Sequence, residues 1–296
     1  MRRQGNIGKS FCFHWKGRTT AEAARKALEA SIPGIAQSAI PINVESAARF
    51  LGIEQITEVE TSAFDGLLSA TRSGTYVATL RKGQSESRKR FTLAHELGHV
   101  IVRASTGRFT SVSANELFQC RATTPDEKDE ERLCDLLASQ LLMPQPQFSQ
   151  VIQEIGVSAA TIPDIAQRFD VSLEAVSKRL LAVLPYAIGI GYWYLSVDSA
   201  SFVPKWYLTR TGPRSIDQVI AVGSQGSQCF TDKQVRGWQW MSLQGPTDKY
   251  FVDVFPLKGP QKAWLLLVVF DSAAQHIMVT MSAIKTTAEQ LPLIDE

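Results

Sequence analysis

The chain has 296 residues, of which 44% are hydrophobic and 20% charged, and its 31 Lys and Arg residues nearly balance its 29 Asp and Glu residues. This composition is that of a globular protein and excludes a disordered, collagen-like or coiled-coil chain. The length favours two domains, and the formal net charge of +2 gives no global indication of a nucleic-acid or membrane partner.

The N-terminal stretch MRRQGNIGKSFCFHWKGR has no apolar segment behind its basic residues, so it does not resemble a signal peptide. The four cysteines are scattered without a CxxC pair, which fits neither a disulfide-stapled secreted fold nor a cysteine-rich zinc module. The longest apolar run, Trp264 to Phe270, is too short to span a membrane. We therefore expect a cytoplasmic protein without a membrane partner.

Residues 1–39 are expected to form an N-terminal extension, of which residues 1–18 are a loose arm or an embellishment. The sequence Thr19-Thr20-Ala21-Glu22 has the spacing of a capping box and predicts a helix that ends at Pro33-Gly34. A second helix is predicted from Val44 to Leu51, ending at Gly52. A small antiparallel sheet is predicted next, from three β-rich runs separated by turn dipeptides. The runs are Ile56 to Thr61, Leu67 to Thr71 and Thr75 to Leu80.

The run from Arg81 to Arg90 contains five basic residues and one Glu. Such a run can bind nucleic acid, but it is more typical of a solvated loop before a helix, which is the interpretation favoured here.

The chemistry of the chain is concentrated in His95-Glu96-Leu-Gly-His99, an HExxH pattern. Residues four apart on a helix share a face, so His95 and His99 can hold one metal ion together. Glu96 lies one step round the helix, where a general base for an activated water molecule is needed. The alternative is two helix histidines satisfied by ordinary hydrogen bonds, with a surface Glu between them.

A tetrahedral catalytic zinc takes three protein ligands, so a third ligand is expected downstream. Position 105 is Ser, which excludes the HExxHxxGxxH pattern. Glu131 is our choice because it begins an apolar helix, with Asp135 on the same face to accept the spare N–H of a ligating histidine. Glu130 and Glu127 are the alternatives. Cys134 is a ligand by residue type, but beside Leu133 and Leu136 it is more typical of a core residue.

Two motifs resemble the ImmA/IrrE family of metallo-endopeptidases: RFTLAHELGHV, Arg90 to Val100, and ERLCDLLASQLLMP, Glu131 to Pro144. The resemblance covers roughly residues 40–180, and it departs from the family at Asp135, where Asn is commoner, and at Cys134, where Ala is. It implies that one zinc ion per chain is bound by His95, His99 and Glu131 and that Glu96 is the catalytic acid and base. An Asp at position 135 accepts the same histidine hydrogen bond as Asn.

The resemblance further implies a protein substrate, namely a helix-turn-helix transcriptional repressor in a stress-response or mobile-element switch. Enzymes of this kind bind substrate as an added strand along a sheet edge. The expected edge strand is formed by Tyr76, Val77, Ala78, Thr79 and Leu80, although a purely structural strand is equally compatible with the sequence. A second electrophile for the oxyanion is also expected, with His276 and the tyrosines after Tyr186 as candidates.

Residues 157–184 predict a helix, a tight turn and a capped helix in the manner of a helix-turn-helix. Three basic side chains in this segment are cancelled by Asp164, Asp170 and Glu174, which disfavours DNA binding. We interpret the segment as structural or protein-binding. The alternative function for the whole chain is a DNA-binding transcription regulator that uses this segment and has a relict or structural zinc site.

Residues 185–296 contain five of the six tryptophans among strand-like runs and predict a β-rich domain. Aromatic side chains at alternate strand positions are more typical of a core than of a ligand pocket, and a sensor-like domain is the alternative. The sequence thus predicts an α+β protein: an extension (1–39), a zincin-like metallopeptidase domain with an active-site helix (40–156), the helix-turn-helix segment (157–184) and the β-rich domain (185–296). No oligomeric state is indicated.

Overall fold

A computed structural model of the chain describes residues 6–17, 19–106, 117–118, 125–184, 188–196, 201–209, 212–213, 220–221, 235–241, 248–258 and 262–269. Helices and two separate sheets make this part of the chain an α+β protein, as predicted. Two compact units are present: Met1–Gln150 with Gln167–Ser172, and Val151–Ala166 with Leu173–Glu296. Among the described helices, none combines the length and the apolarity needed to cross a bilayer. The four-part division by residue number stays a prediction.

The helices of the described chain come before the large sheet in sequence. They are α1 (Asn6–His14), α2 (Thr20–Ser31), α3 (Val44–Phe50), α4 (Glu86–Thr106), α5 (Pro125–Leu142), α6 (Gln145–Ile155), α7 (Ile162–Phe169) and α8 (Leu173–Val183).

The predicted starts and stops of the first helices are confirmed by their caps. The Thr19 hydroxyl accepts a hydrogen bond from the Glu22 N–H at 3.2 Å, which is the N-terminal half of the capping box. Asn43 caps α3 in the same way, accepting from the Ser46 N–H at 2.9 Å. Gly52 follows α3 with a φ of 89°, a conformation that favours glycine.

Of the two interpretations of residues 1–18, the loose arm is wrong for residues 6–14, because they form helix α1 and this helix is packed. Phe11 is completely buried, and α1 contacts α2, α4 and α5. The Trp15 indole N–H donates a hydrogen bond to the Ser105 hydroxyl at 2.7 Å, which ties the end of α1 to the end of α4.

The small sheet of the first unit is mixed, not antiparallel as predicted. Its strands β1 (Ile53–Val59), β2 (Gly66–Ala70), β3 (Tyr76–Arg81) and β4 (Leu117–Phe118) lie in the order β1-β3-β2-β4. Strands β2 and β3 form an antiparallel hairpin, and β3 then pairs in parallel with β1.

This order makes the edge-strand prediction for Tyr76 to Leu80 wrong. Both sides of β3 are already hydrogen-bonded, to β1 on one side and to β2 on the other, so its backbone cannot accept an added strand. The burial of Tyr76, Ala78 and Leu80 agrees with a central position. Strand β1, and not β3, lies at an edge of this sheet.

The second unit contains α7 in part, α8 and an antiparallel sheet. Its strands are β5 (Ile188–Ser196), β6 (Ser201–Thr209), β7 (Gly212–Pro213), β8 (Ile220–Ala221), β9 (Val235–Met241), β10 (Asp248–Leu257) and β11 (Ala263–Val269), in the order β7-β6-β5-β11-β10-β9, with β8 paired to β6. Trp193 and Trp264 are buried, as expected of core aromatics. The buried Asp253 carboxylate accepts a hydrogen bond from the Ala159 N–H at 3.0 Å.

Candidate metal centre

Helix α4 brings the HExxH residues to the interior of the first unit. Its first turn is capped by Ser85, whose hydroxyl accepts from the Arg88 N–H at 3.4 Å. Buried apolar side chains, among them Leu93, Leu97 and Ile101, anchor the helix. The same packing buries two of the polar residues of the motif, because Glu96 is 1% and His99 is 3% exposed. These side chains need partners, since an uncompensated buried charge is costly.

Helices α4 and α5 approach each other closely at Gly98. A Cβ atom added to Gly98 would lie 2.8 Å from Cys134 Cα and 3.0 Å from Cys134 Cβ, so no other residue fits here without moving a backbone. A glycine inside a helix costs about 1 kcal/mol relative to alanine. The close approach offsets that cost by placing the histidines of α4 against the carboxylates of α5.

The two histidines face the same carboxylate through the same ring atom. His95 Nε2 lies 3.1 Å from Glu131 Oε2, and His99 Nε2 lies 3.4 Å from Glu131 Oε1. The other ring nitrogens contact different carboxylates: His95 Nδ1 lies 3.0 Å from Asp135 Oδ1, and His99 Nδ1 lies 3.0 Å from Glu130 Oε1. The structure therefore brings together the predicted residues His95, His99, Glu131 and Asp135.

This arrangement fits a divalent cation. When each Nδ1–H donates to its own carboxylate, each neutral ring presents a lone pair at Nε2. Two Nε2 lone pairs and two Glu131 oxygens then face one another as acceptors, an arrangement that a cation between them would stabilise. Imidazole and carboxylate are ligands that zinc accepts. Zinc sites also use carboxylates that do not touch the metal but orient the histidine rings, and Asp135 and Glu130 are placed to do so.

Glu130 has a different role from the one considered in the sequence, where it was an alternative ligand. Burial alone would raise the pKa of the Glu130 carboxyl, but its hydrogen bond with His99 and the charge of Arg103 outweigh burial and lower that pKa to about 2. Arg103 Nε donates to Glu130 Oε1 at 3.0 Å. The other alternative ligand, Glu127, is exposed. Sequence reasoning missed the contribution of Arg103, one turn beyond His99 on α4.

Glu96 points into a cavity of about 480 Å³ beside the histidines. The cavity is lined by Ala63, Phe64, Asp65, Gly66, Arg88, Phe91, Thr92, His95, Glu96, Glu131 and Asp135. A Cβ atom added to Gly66 would lie 2.5 Å from Thr92 Cγ2 and closer still to Glu96 Oε1. Gly66 thus leaves the room that the Glu96 carboxylate occupies, a role that the turn dipeptide Asp65-Gly66 alone did not indicate.

The rim of the cavity is held by ion pairs. Asp65 accepts from Arg88 and, at 2.9 Å, from Arg81 Nε. The hydrogen bond from Arg88 is the largest influence on the pKa of the Asp65 carboxyl, which is lowered. Each of the five basic residues between 81 and 90 has a carboxylate partner: Arg81 and Arg88 pair with Asp65, Lys82 with Glu60, Lys89 with Glu58 and Glu86, and Arg90 with Asp170. This compensation argues against a nucleic-acid patch here.

Cys134 is fully buried, as expected of a core residue, and burial raises the pKa of its thiol. Its sulfur is nevertheless close to the histidines: Cys134 Sγ and one ring nitrogen from each of His95 and His99 all lie within 4.8 Å of one another. Of the two kinds of candidate for the oxyanion electrophile, His276 lies outside the described residues, and the described tyrosines after Tyr186 belong to the second unit.

Comparison with known proteins agrees with this geometry. A family model described as the IrrE N-terminal-like domain, Peptidase M78, matches residues 53–181. The radiation response metalloprotease IrrE of Deinococcus radiodurans is 25% identical over 112 residues, which are 38% of this chain and 33% of that protein. The match therefore spans about a third of the length of this curated relative.

A solved structure, a Mycobacterium tuberculosis transcriptional regulator, is similar over 93% of this chain and 84% of its own length, with a TM-score of 0.52 and 15% sequence identity. At this identity the likeness concerns the fold alone. The sequence motifs, the matched domain and the curated relative agree with one another, and residues 53–181 of the chain are similar to the IrrE N-terminal-like domain, Peptidase M78.

Proposed function

We propose that the protein is a zinc-dependent endopeptidase. The observation that carries the proposal is the convergence of His95 Nε2 and His99 Nε2 on the two oxygens of Glu131, at 3.1 and 3.4 Å, next to a cavity that also contains Glu96. The family supports peptide-bond hydrolysis as the reaction.

In this proposal His95, His99 and Glu131 hold one zinc ion. Asp135 and Glu130 accept the Nδ1 protons of His95 and His99, which fixes the tautomer of each ring and aims its Nε2 lone pair at the metal. Zinc held there supplies Lewis acidity, which polarises a peptide carbonyl and makes water nucleophilic near neutral pH. Arg103 restrains Glu130, so the second histidine is oriented by a largely buried charge pair.

Glu96 is the proposed acid and base. Its carboxylate takes a proton from the attacking water and returns that proton to the amine that leaves when the peptide bond breaks. Its burial supports this role, because a carboxylate that is shielded from bulk water acts on substrate without competition from solvent. Gly66 and Thr92 border the space that this side chain occupies.

The proposed substrate is a protein of the helix-turn-helix repressor class, and we propose that the enzyme acts on it in the cytoplasm. This follows from the family resemblance of the two motifs. The proposed catalytic cavity lies between the start of β2 and helix α4. Ala63 and Phe64 extend its wall beyond the metal ligands, which supports binding of a stretch of substrate polypeptide.

The alternative of a DNA-binding regulator is less well supported by helices α7 and α8. Arg179 is buried with 4% exposure, so its charge is withdrawn from the surface of α8. Lys178 pairs with Glu174 at 2.7 Å on the same helix. The segment 162–180 therefore offers little of the positive surface that phosphate binding requires.

The decisive experiment compares the zinc-loaded parent protein with Glu96→Gln. Each is incubated with a lysate of cells that lack this protein, and new N-termini are mapped by mass spectrometry. We expect cleavage by the parent, including cleavage of a helix-turn-helix protein, and no cleavage by Glu96→Gln, with about one zinc per chain in both proteins by elemental analysis. Equal cleavage by both proteins would show that the assignment of Glu96 is wrong. Full zinc occupancy in His99→Ala would remove His99 as a ligand.

A further inference from the structure

The face of helix α5 that carries Glu131 contains a second residue of metal-binding chemistry. Residues three and four apart on a helix share a face, so Cys134 and Asp135 both lie on the same side as Glu131. Asp135 contacts His95 Nδ1. Cys134 lies between these two acidic residues in sequence and is fully buried opposite Gly98, where α4 and α5 are in close contact.

The position of the sulfur is close to the one that a ligand needs. Cys134 Sγ and a ring nitrogen of each of His95 and His99 lie within 4.8 Å of one another. Nitrogen and sulfur donors on one tetrahedral zinc ion are about 3.6 Å apart, given bond lengths of about 2.0 and 2.3 Å. The three atoms exceed that spacing by at most about 1.2 Å, and a χ1 rotation or a small ring movement covers a distance of that size.

We propose that Cys134 is a fourth protein ligand of the metal ion held by His95, His99 and Glu131, bound through its thiolate sulfur. The proposal rests on the metal site of the proposed function and adds a donor to it. As the sulfur–metal bond forms, the thiol proton passes to solvent, because a coordinating thiol is deprotonated outright.

A sulfur ligand changes the chemistry of the site in two ways. It makes the donor set softer, which favours zinc and cadmium over magnesium or manganese. It also raises the number of protein ligands to four, the number found in closed metal sites. Peptide hydrolysis then requires a fifth coordination position or release of the sulfur.

The test uses Co²⁺ as a spectroscopic probe in the full-length, chelator-stripped protein, kept reduced and free of oxygen. We expect weak visible d–d bands, together with a stronger near-ultraviolet band from thiolate-to-cobalt charge transfer. Cys134→Ala should lose the near-ultraviolet band, keep visible bands and bind Co²⁺ about 10- to 100-fold more weakly, a loss typical of damaged metal sites. Cys134→Ser, which preserves the shape of the side chain, should behave in the same way if Cys134→Ala folds poorly.

The other three cysteines provide the matched control. The triple variant C12S/C120S/C229S leaves Cys134 as the single cysteine of the chain and should keep the near-ultraviolet band. Visible bands without this band in the parent, or a band that survives in Cys134→Ala, would overturn the role of Cys134 while leaving the metal site intact. A parent protein that binds no stoichiometric Co²⁺ or Zn²⁺ would overturn the metal site itself, and the two failures are therefore distinguishable.

Discussion

The candidate site depends on the absence of a Cβ atom at Gly66. Its position at the start of β2 puts the backbone against helix α4, and the space that a side chain would fill is taken by the Glu96 carboxylate and the Thr92 methyl group. The backbone of Gly66 does not have the positive φ that would itself require glycine. The constraint at this position is therefore the room for the carboxylate.

Gly66→Ala should consequently lower kcat without removing zinc. The added methyl group displaces the Glu96 carboxylate by about 1 Å, and a misplacement of that size can reduce the rate by about 100-fold. Glu96 is not a proposed ligand, so zinc content by elemental analysis should equal that of the parent. The measurement is kcat on the substrate identified by N-terminus mapping, with Ser69→Ala on the same strand as the control. An unchanged kcat, or a loss of zinc, would contradict this explanation of Gly66.

The sequence was sufficient to identify the histidines and carboxylates of the site. It was not sufficient to predict which carboxylate contacts which histidine nitrogen. HExxH spacing selects His95, Glu96 and His99, and a four-residue interval selects Glu131 with Asp135, because helix periodicity alone determines those shared faces. The partner of His99 Nδ1 could not be selected in this way. Glu130 and Glu131 are adjacent, and the crossing of α4 and α5 decides that Glu131 faces both Nε2 atoms while Glu130 faces Nδ1.

At the scale of elements, helix α1 was missed because its nine residues are too few to show a clear apolar periodicity. The segment Asn6–His14 is short, and its contribution to the core includes one fully buried aromatic side chain, Phe11. Isolated helices of this length are marginal in water. Tertiary packing against α2, α4 and α5 therefore stabilises α1, and such packing cannot be predicted from local sequence.

Phe11→Ala should destabilise the first unit by about 3–5 kcal/mol, the usual cost of removing a buried phenylalanine side chain. Phe13→Ala is the matched control, since Phe13 lies on the same helix and is 87% exposed. A surface change of this kind should alter stability by no more than about 0.5 kcal/mol. The measurement is the free energy of unfolding in urea. Equal effects of the two substitutions would mean that α1 is not packed as described.

The strand order of the small sheet could not be predicted from local sequence either. Turn dipeptides such as Ser73-Gly74 indicate that β2 and β3 are neighbours, and they are. The parallel pairing of β3 with β1 involves strands that are not consecutive in the chain, so it depends on how the sheet packs against the helices. The alternation of buried and half-buried residues in β3 identifies its faces but says nothing about which strand lies at the edge.

For the whole molecule, the proposed metal ion links two helices of the first unit, because two ligands lie on α4 and the others lie on α5. A ligand that binds only the folded state stabilises it by about 2.7 kcal/mol when its free concentration is 100 times Kd. Calorimetry of the full chain should therefore show a higher Tm for the transition of the first unit with zinc than with a chelator. Glu96→Gln should keep this difference and His99→Ala should lose it. A Tm that is indifferent to chelator in the parent would argue against a metal that bridges α4 and α5.

The division of the chain into two units has a consequence for how the gene can be divided. The chain passes from one unit to the other three times, after residues 150, 166 and 172, and residues 167–172 return to the first unit as a separate piece. Phe169, which is in that piece, is fully buried and contacts the Phe148 ring, with ring centroids 5.5 Å apart. The carboxylate of Asp170, in the same piece, pairs with Arg90 at 3.1 Å. A cut after residue 150 therefore separates the first unit from residues 167–172, whereas a cut after residue 172 keeps the first unit whole but removes residues 151–166 from the second unit. Recombination or gene fusion at one point can transfer the first unit intact only if the fragment extends through residue 172.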